Sequence, residues 1–143
     1  NSARAAGVLS GLPESQLDAL YRFGRQLGLA FQVVDDILDF TGSDQQLGKP
    51  AASDLASGYL TAPALYALEE HPALAGLIDR EFSEDGDLDQ ALELVRGSQA
   101  IQRSRALAEG FANEAREALT WLPPSESRSA LLELPEFVLS RLY

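Results

Sequence analysis

The chain has 143 residues, 45% of them apolar, enough for one domain with a real core and too many for a disordered tail. Its 22 acidic residues outnumber 11 basic ones and no Lys/Arg cluster occurs, which argues against nucleic acid and anionic membranes as partners. Without cysteine there are no disulfides, zinc–thiolate sites or cysteine nucleophiles, and a reducing, cytoplasmic setting is expected.

From the start, NSARAAGVLSG is small and alanine-rich and reads as the tail of a helix ending at Gly11. Pro13 suits a first helical position. The run that follows carries apolar residues at three- and four-residue spacing to about Phe40. Gly24 and Gly28, one turn apart in it, are expected to admit a neighbouring helix at close range, since glycine otherwise costs a helix about 1 kcal/mol.

Thr41 to Ser53 reads as a polar loop punctuated by Gly42, Gly48 and Pro50. Ser53 or Asp54 can cap a short turn that Gly58 ends. Thr61 is expected to cap APALYALEE, with Pro63 tolerated in the first turn. His71–Pro72 stops that helix and PALAGLIDREF makes another. After a turn at Ser83–Asp87, LDQALELVR is amphipathic, and Gly97–Ser98 interrupts it. Ser98 then caps a second long helix running to Leu122, and Pro123–Pro124 breaks the chain. Ser125 caps SRSALLEL, and a separate last helix is expected from about Pro135 to Tyr143. No strand pattern or convincing repeat occurs. The expected fold class is all-α, an antiparallel helical bundle with short loops.

The chemistry concentrates in Leu29–Phe40, LAFQVVDDILDF. At about 100° per residue, Gln32, Asp35, Asp36 and Asp39 share one polar arc, while the remaining positions are apolar. A helix apolar over most of its surface is expected to be buried. Adjacent buried carboxylates with no base between them repel and pay several kcal/mol of desolvation each. A cation from outside would relieve this, and carboxylate oxygens are the hard ligands Mg²⁺ prefers. The helix therefore reads as half of a magnesium site facing a cavity. Lys49, in the loop beyond, is a point charge suited to phosphate, or a solvated loop lysine. Asp54 joins the metal's outer shell or caps a helix, and both readings stay open.

FQVVDDILDF followed by LGKPAASDLASGYLTAPALYALE resembles the second aspartate-rich region of the trans-isoprenyl diphosphate synthases, also called polyprenyl synthetases. The order FQxxDDxxD, GKP, SDL, G, LTAP and AL is much more specific than DDxxD alone. Within the family the stretch is most similar to long-chain enzymes such as octaprenyl and solanesyl diphosphate synthases, with the geranylgeranyl enzymes close by. The resemblance implies the isoprenoid synthase fold, with Asp35 as the main magnesium ligand of this region and Asp36 and Asp39 in support. It further implies that Gln32 faces the substrate cavity and that Lys49 holds an allylic diphosphate. The substrates would be that diphosphate and isopentenyl diphosphate, and the intact enzyme would be a homodimer.

Two departures from the family pattern stand out. Ala52 occupies a position where glycine is usual, which stiffens the loop and leaves every charged group in place. The resemblance also covers only the family's C-terminal portion. Residues 1–143 therefore read as a C-terminal fragment of one polyprenyl synthetase domain, consistent with a chain that begins at Asn1 and contains no methionine. Such a fragment is expected to be inactive and to associate through apolar surface that the missing half would cover. The competing readings are a non-catalytic prenyltransferase-like subunit and a helical interaction module. No apolar run approaches the roughly 20 residues of a membrane span.

Overall fold

The structure, a computed structural model, describes residues 1–42 and 52–143; Lys49 lies outside the described residues. Among the described residues there are eight helices and no strand: α1 Ser2–Leu9, α2 Glu14–Thr41, α3 Ser53–Ala56, α4 Ala62–Glu70, α5 Ala73–Asp79, α6 Asp87–Gly97, α7 Ala100–Glu117 and α8 Glu126–Ser140. The all-α expectation holds, and no described helix is long and apolar enough to cross a membrane. The chain divides into two compact units, one of Asn1–Val34 with Leu107–Tyr143 and one of Asp35–Ala106.

In the first unit, Phe23, Ala115, Ala118 and Leu119 form a core flanked by Ala3, Leu20, Leu27, Leu131 and Leu132. Leu119 is fully buried and anchors this core, whereas Phe111 and Trp121 are only half-buried. Close approach occurs at Gly7, not at the two glycines of α2. A Cβ on Gly7 would lie 2.7 Å from methyl carbons of both Leu17 and Leu20. One on Gly24 would meet Ala3 at an ordinary 3.7 Å, and one on Gly28 would meet nothing within 4 Å. The two leucines pack over α1, so the small residue is needed on α1.

In the second unit, Phe40, Ala52, Leu55, Ala64, Ala67, Leu74, Leu77, Ala91, Val95 and Ala100 form one continuous core, and α4, α5 and α6 pack on one another. Arg96 reaches back from α6, and its Nε donates to the Phe40 carbonyl at 2.8 Å. Carbonyls in the last turn of a helix lack an intrahelical partner, and a cation is favoured there.

Three helices end alike. At α1 the Leu12 N–H bonds to Gly7 O at 3.1 Å and the Gly11 N–H to Val8 O at 3.0 Å, with Gly11 at φ +68°. At α3 the Tyr59 and Gly58 N–H groups repeat this on Asp54 and Leu55, both at 2.9 Å, with Gly58 at φ +81°. This paired bonding needs a left-handed residue just past the helix, which glycine accepts without penalty. At α5 the Phe82 and Glu81 N–H groups bond to Leu77 and Ile78 in the same way, but the left-handed residue is Glu81, at φ +56°. The helix expected through Phe82 therefore stops at Asp79, at a signal that no glycine announces.

Other boundaries differ for local reasons. Thr61 is the N-cap of α4, yet its side chain makes no cap bond and its Oγ1 is buried without a hydrogen-bond partner among the described residues. A cap hydroxyl accepts from the second or third helical N–H, and the second residue here is Pro63, which has none. Helix α7 ends at Glu117, short of Leu122, in a tightened turn of i→i−3 bonds ahead of Pro123. Helix α8 runs unbroken through Pro135, where a new helix was expected. Pro135 is fully buried and Val138 nearly so, and this packing outweighs the backbone bond that proline forfeits. Ser125 caps as expected, accepting from Arg128 N at 3.1 Å, whereas Ser98 is the C-cap of α6 and stands one position before the N-cap of α7, its hydroxyl accepting from Ala100 N at 3.1 Å.

Candidate functional site

Helix α2 extends through the whole aspartate-bearing stretch, but its polar arc is not uniformly placed. In the first unit Gln32 is exposed, and Phe31 is 45% exposed despite the expectation of a helix buried nearly all round. The Arg141 guanidinium lies over the Phe31 ring, 4.7 Å from its centre, so a cation covers one face of that aromatic.

In the second unit Asp35 is half-buried, whereas Asp36 and Asp39 are 6% and 2% exposed. Spacing explains the split. Asp36 and Asp39 fall in register with the buried Val33, Ile37 and Phe40, while Asp35 sits at the edge of that stripe. Asp39 is held by Ala52, Ser53 and Asp54. Its Oδ1 accepts the Ser53 hydroxyl at 3.0 Å and its Oδ2 accepts the Asp54 N–H at 3.2 Å, while its main-chain oxygen accepts the Ala52 N–H at 2.8 Å.

A carboxylate with two protein donors does not depend on an outside cation for its burial. The repulsion argument from the sequence therefore applies with less force to Asp39 than its burial alone suggests. Ala52 takes φ +56° and is fully buried in the core, so the residue that departs from the family's glycine adopts the conformation glycine favours.

Among the described residues no group of three or more His, Asp or Glu side chains could hold a metal ion. In donor type Asp35 and Asp36 fit a hard divalent cation. In number they match the one or two carboxylates through which Mg²⁺ is usually held, the remaining positions going to phosphate oxygens and water. A cleft of about 370 Å³ in the second unit lies elsewhere, lined by Ser57, Leu60, Ile78, Glu81 and Phe82 among others, and includes none of the expected site residues.

Other charged groups of the second unit are structural. Asp87, 3% exposed, receives Arg80 Nε and Nη2 at 2.8 and 2.5 Å and the Glu84 N–H at 3.2 Å. The hydrogen bond from Arg80 holds the Asp87 carboxyl below the usual carboxylate range, and Asp87 in turn raises the Arg80 guanidinium. Arg103 pairs with Glu69 and Glu70 at 2.7 and 3.6 Å and stacks over Tyr66. Its hydrogen bond to Glu69 raises its own affinity for the proton. His71 closes α4 as its C-cap, as a turn residue.

Sequence reasoning missed two functional neighbours. Ser53 was legible as a helix start but not as the partner of Asp39, fourteen positions back. Arg96, whose contact lies 56 positions away, left no local signal.

Comparison with known proteins places these residues in context. The model of the family described as polyprenyl synthetase matches residues 1–95. A prenyl transferase of Synechocystis sp. is 57% identical over 143 residues, covering 100% of this chain and 44% of that protein. The solanesyl-diphosphate synthase 2, chloroplastic, of Oryza sativa subsp. japonica is 47% identical over 142 residues, 99% of this chain and 35% of that protein. The crystal structure of a polyprenyl synthase from Caulobacter crescentus, complexed with calcium and isoprenyl diphosphate, superposes with a TM-score of 0.85 at 36% identity, over 98% of this chain and 44% of that one. The chain thus spans less than half the length of each of these proteins.

Proposed function

The chain belongs to the polyprenyl synthetase family, and from that premise we propose that it is the C-terminal portion of a prenyltransferase. The complete enzyme would condense isopentenyl diphosphate with an allylic diphosphate to make long-chain all-trans polyprenyl diphosphates. The observation that carries this reading is the set of aspartates on one helix, with Asp36 and Asp39 turned into the protein and Asp35 half-buried beside them. Solvated acidic faces do not have this burial, and the long-chain relatives favour the substrate class.

In this proposal Asp35 is the principal Mg²⁺ ligand of this half, with Asp36 and Asp39 in support and Asp54 in the metal's outer shell. When bound, the cation would supply Lewis-acid neutralisation of the departing diphosphate. Lys49 contributes a positive charge toward the same diphosphate, and Gln32 contacts substrate. Apolar helix walls of the complete enzyme would exclude water from the allylic cation. Isopentenyl diphosphate supplies the attacking double bond, and the proton it loses goes to the released diphosphate. The complete enzyme works as a homodimer. A cytoplasmic location, expected from the cysteine-free composition, belongs to the same proposal, although one relative is chloroplastic.

The test is Asp35→Ala in the full-length protein, assayed by incorporation of labelled isopentenyl diphosphate. A fall of at least about 100-fold is expected for a lost charge-stabilising group at the reacting centre. Unchanged turnover would overturn the assignment. The 143-residue chain alone is expected to give no product from isopentenyl and farnesyl diphosphates.

A further inference from the structure

The cleft of about 370 Å³ in the second unit lies between the chain leaving α3 and the chain leaving α5. Leu60, Ile78 and Phe82 give it apolar walls, and Tyr59, next to Leu60 in sequence, is 68% exposed. Leu60 is itself 37% exposed, while Ile78 and Phe82 are half-buried, so apolar surface is open to solvent at the mouth. Glu81 and Phe82 are consecutive left-handed residues, at φ +56° and +53°, a conformation that non-glycine residues hold at a cost. Both side chains line the cleft.

The charge around it is of one sign. Between residues 54 and 95 Asp and Glu recur throughout, while Arg80 is the sole Lys or Arg. Arg80 is engaged by Asp87 and lies 3.9 Å from Glu84. Glu81 is part of the cleft wall, Asp79 follows Ile78, and Glu84 and Asp85 come directly after Phe82 and Ser83; all four acids are exposed. A groove that is apolar within and anionic at its rim is complementary to a chain segment with apolar side chains on one face and Lys or Arg beside them. Anionic lipid and nucleic acid would meet these carboxylates with repulsion.

We propose that this cleft docks a basic amphipathic segment of a partner protein. The segment's apolar side chains pack on Leu60, Ile78 and Phe82, and its Lys or Arg side chains face Glu81 and Glu84. The cleft includes none of the residues expected to hold metal or substrate, so this surface adds a partner to the proposed enzyme and stands apart from its chemistry.

The experiment uses the full-length protein and a fluorescent helical peptide of Leu and Lys with its leucines on one face, together with the same peptide carrying Glu for Lys. Fluorescence anisotropy should show the Lys peptide bound at least about tenfold more tightly than the Glu peptide, with affinity falling as salt is raised. Leu60→Ser should weaken binding about tenfold through loss of apolar contact, and Glu81→Lys and Glu84→Lys about fivefold each. Glu133→Lys makes the same change of charge at an exposed position on α8, in the first unit, and should leave affinity within about twofold of the parent. Glu84 is exposed and lies outside the helices, so Glu84→Lys decides the matter where thermal melts show that Leu60→Ser does not fold. Failure of the parent to bind the Lys peptide, equal weakening by Glu133→Lys and Glu84→Lys, or unchanged affinity in folded Leu60→Ser would overturn the proposal.

Discussion

Arg80 and Asp87 face each other across the α5–α6 connection as a fork, Nε to Oδ2 at 2.8 Å and Nη2 to Oδ1 at 2.5 Å. The fork spans the two left-handed residues Glu81 and Phe82. Its planar, two-bond geometry makes it more than a surface ion pair. Because Arg80 holds the Asp87 carboxyl low, the charged form is favoured in the folded chain. The stabilisation is therefore fully present above the ordinary aspartate value of about 3.9 and is lost as pH falls through the lower folded value. Asp87→Asn should lower the thermal midpoint by roughly 5 °C at pH 7. That deficit should shrink toward zero as the melts are repeated below about pH 3. A deficit that stays constant with acidification would show that charge is not the cause.

Glu81 stands where the endings of α1 and α3 use glycine. A left-handed conformation costs a non-glycine residue about 1–2 kcal/mol, and its side chain is exposed. Glu81→Gly should accordingly stabilise the chain by about 1 kcal/mol, less some loss to the freer unfolded chain. Urea titration measures this, and a destabilised variant would mean that the glutamate has a partner which outweighs the strain.

Ala52 poses the same question inside the core. Ala52→Gly relieves the left-handed strain but removes a methyl that is fully buried against neighbours such as Phe40 and Leu55, worth about 0.8 kcal/mol. The two effects nearly cancel, so a change within about 1 kcal/mol is expected. Ala52→Val adds bulk and β-branching at the same φ and should cost about 2–3 kcal/mol. Equal stability of the two variants would contradict this account of position 52.

Gly28→Ala and Gly7→Ala should part company. At Gly28 a methyl meets nothing within 4 Å, so the helix propensity gain of about 0.8–1 kcal/mol should appear in full. At Gly7 the same gain is opposed by methyl carbons of Leu17 and Leu20 at 2.7 Å, and overpacking typically costs 1–3 kcal/mol. A net loss of about 1 kcal/mol is expected there. Paired urea titrations check both, and similar effects at the two positions would mean that α1 yields freely.

Helix positions were largely legible in the sequence because apolar spacing is a local property: α2 runs from Glu14 to Thr41 where periodicity ran from Pro13 to about Phe40. Gly11 and Gly58 marked their helix ends because the conformation needed a residue without Cβ. What failed was set by packing at a distance. Pro135 continues a helix because its ring is buried. Close approach fell to Gly7 because two leucines from the next helix meet there. Glu81 ends a helix without any sequence mark. The burial of Asp36 and Asp39 was legible, since both lie in the helix's apolar register, whereas Asp35 beside them is only half-buried. The bonding of Asp39 was not, because it comes from Ser53 and Asp54, fourteen and fifteen positions farther on.

The bond from Arg96 to the Phe40 carbonyl has a practical corollary. The match to the family model ends at residue 95, one position before the side chain that closes the end of the aspartate-bearing helix, whereas the likeness to the Synechocystis relative runs through all 143 residues. Ala100 of the core and Arg103, the partner of Glu69 and Glu70, fall farther outside that limit. An expression boundary drawn where that model match ends would excise the closure and leave α2 to fray at the turn that carries Asp39.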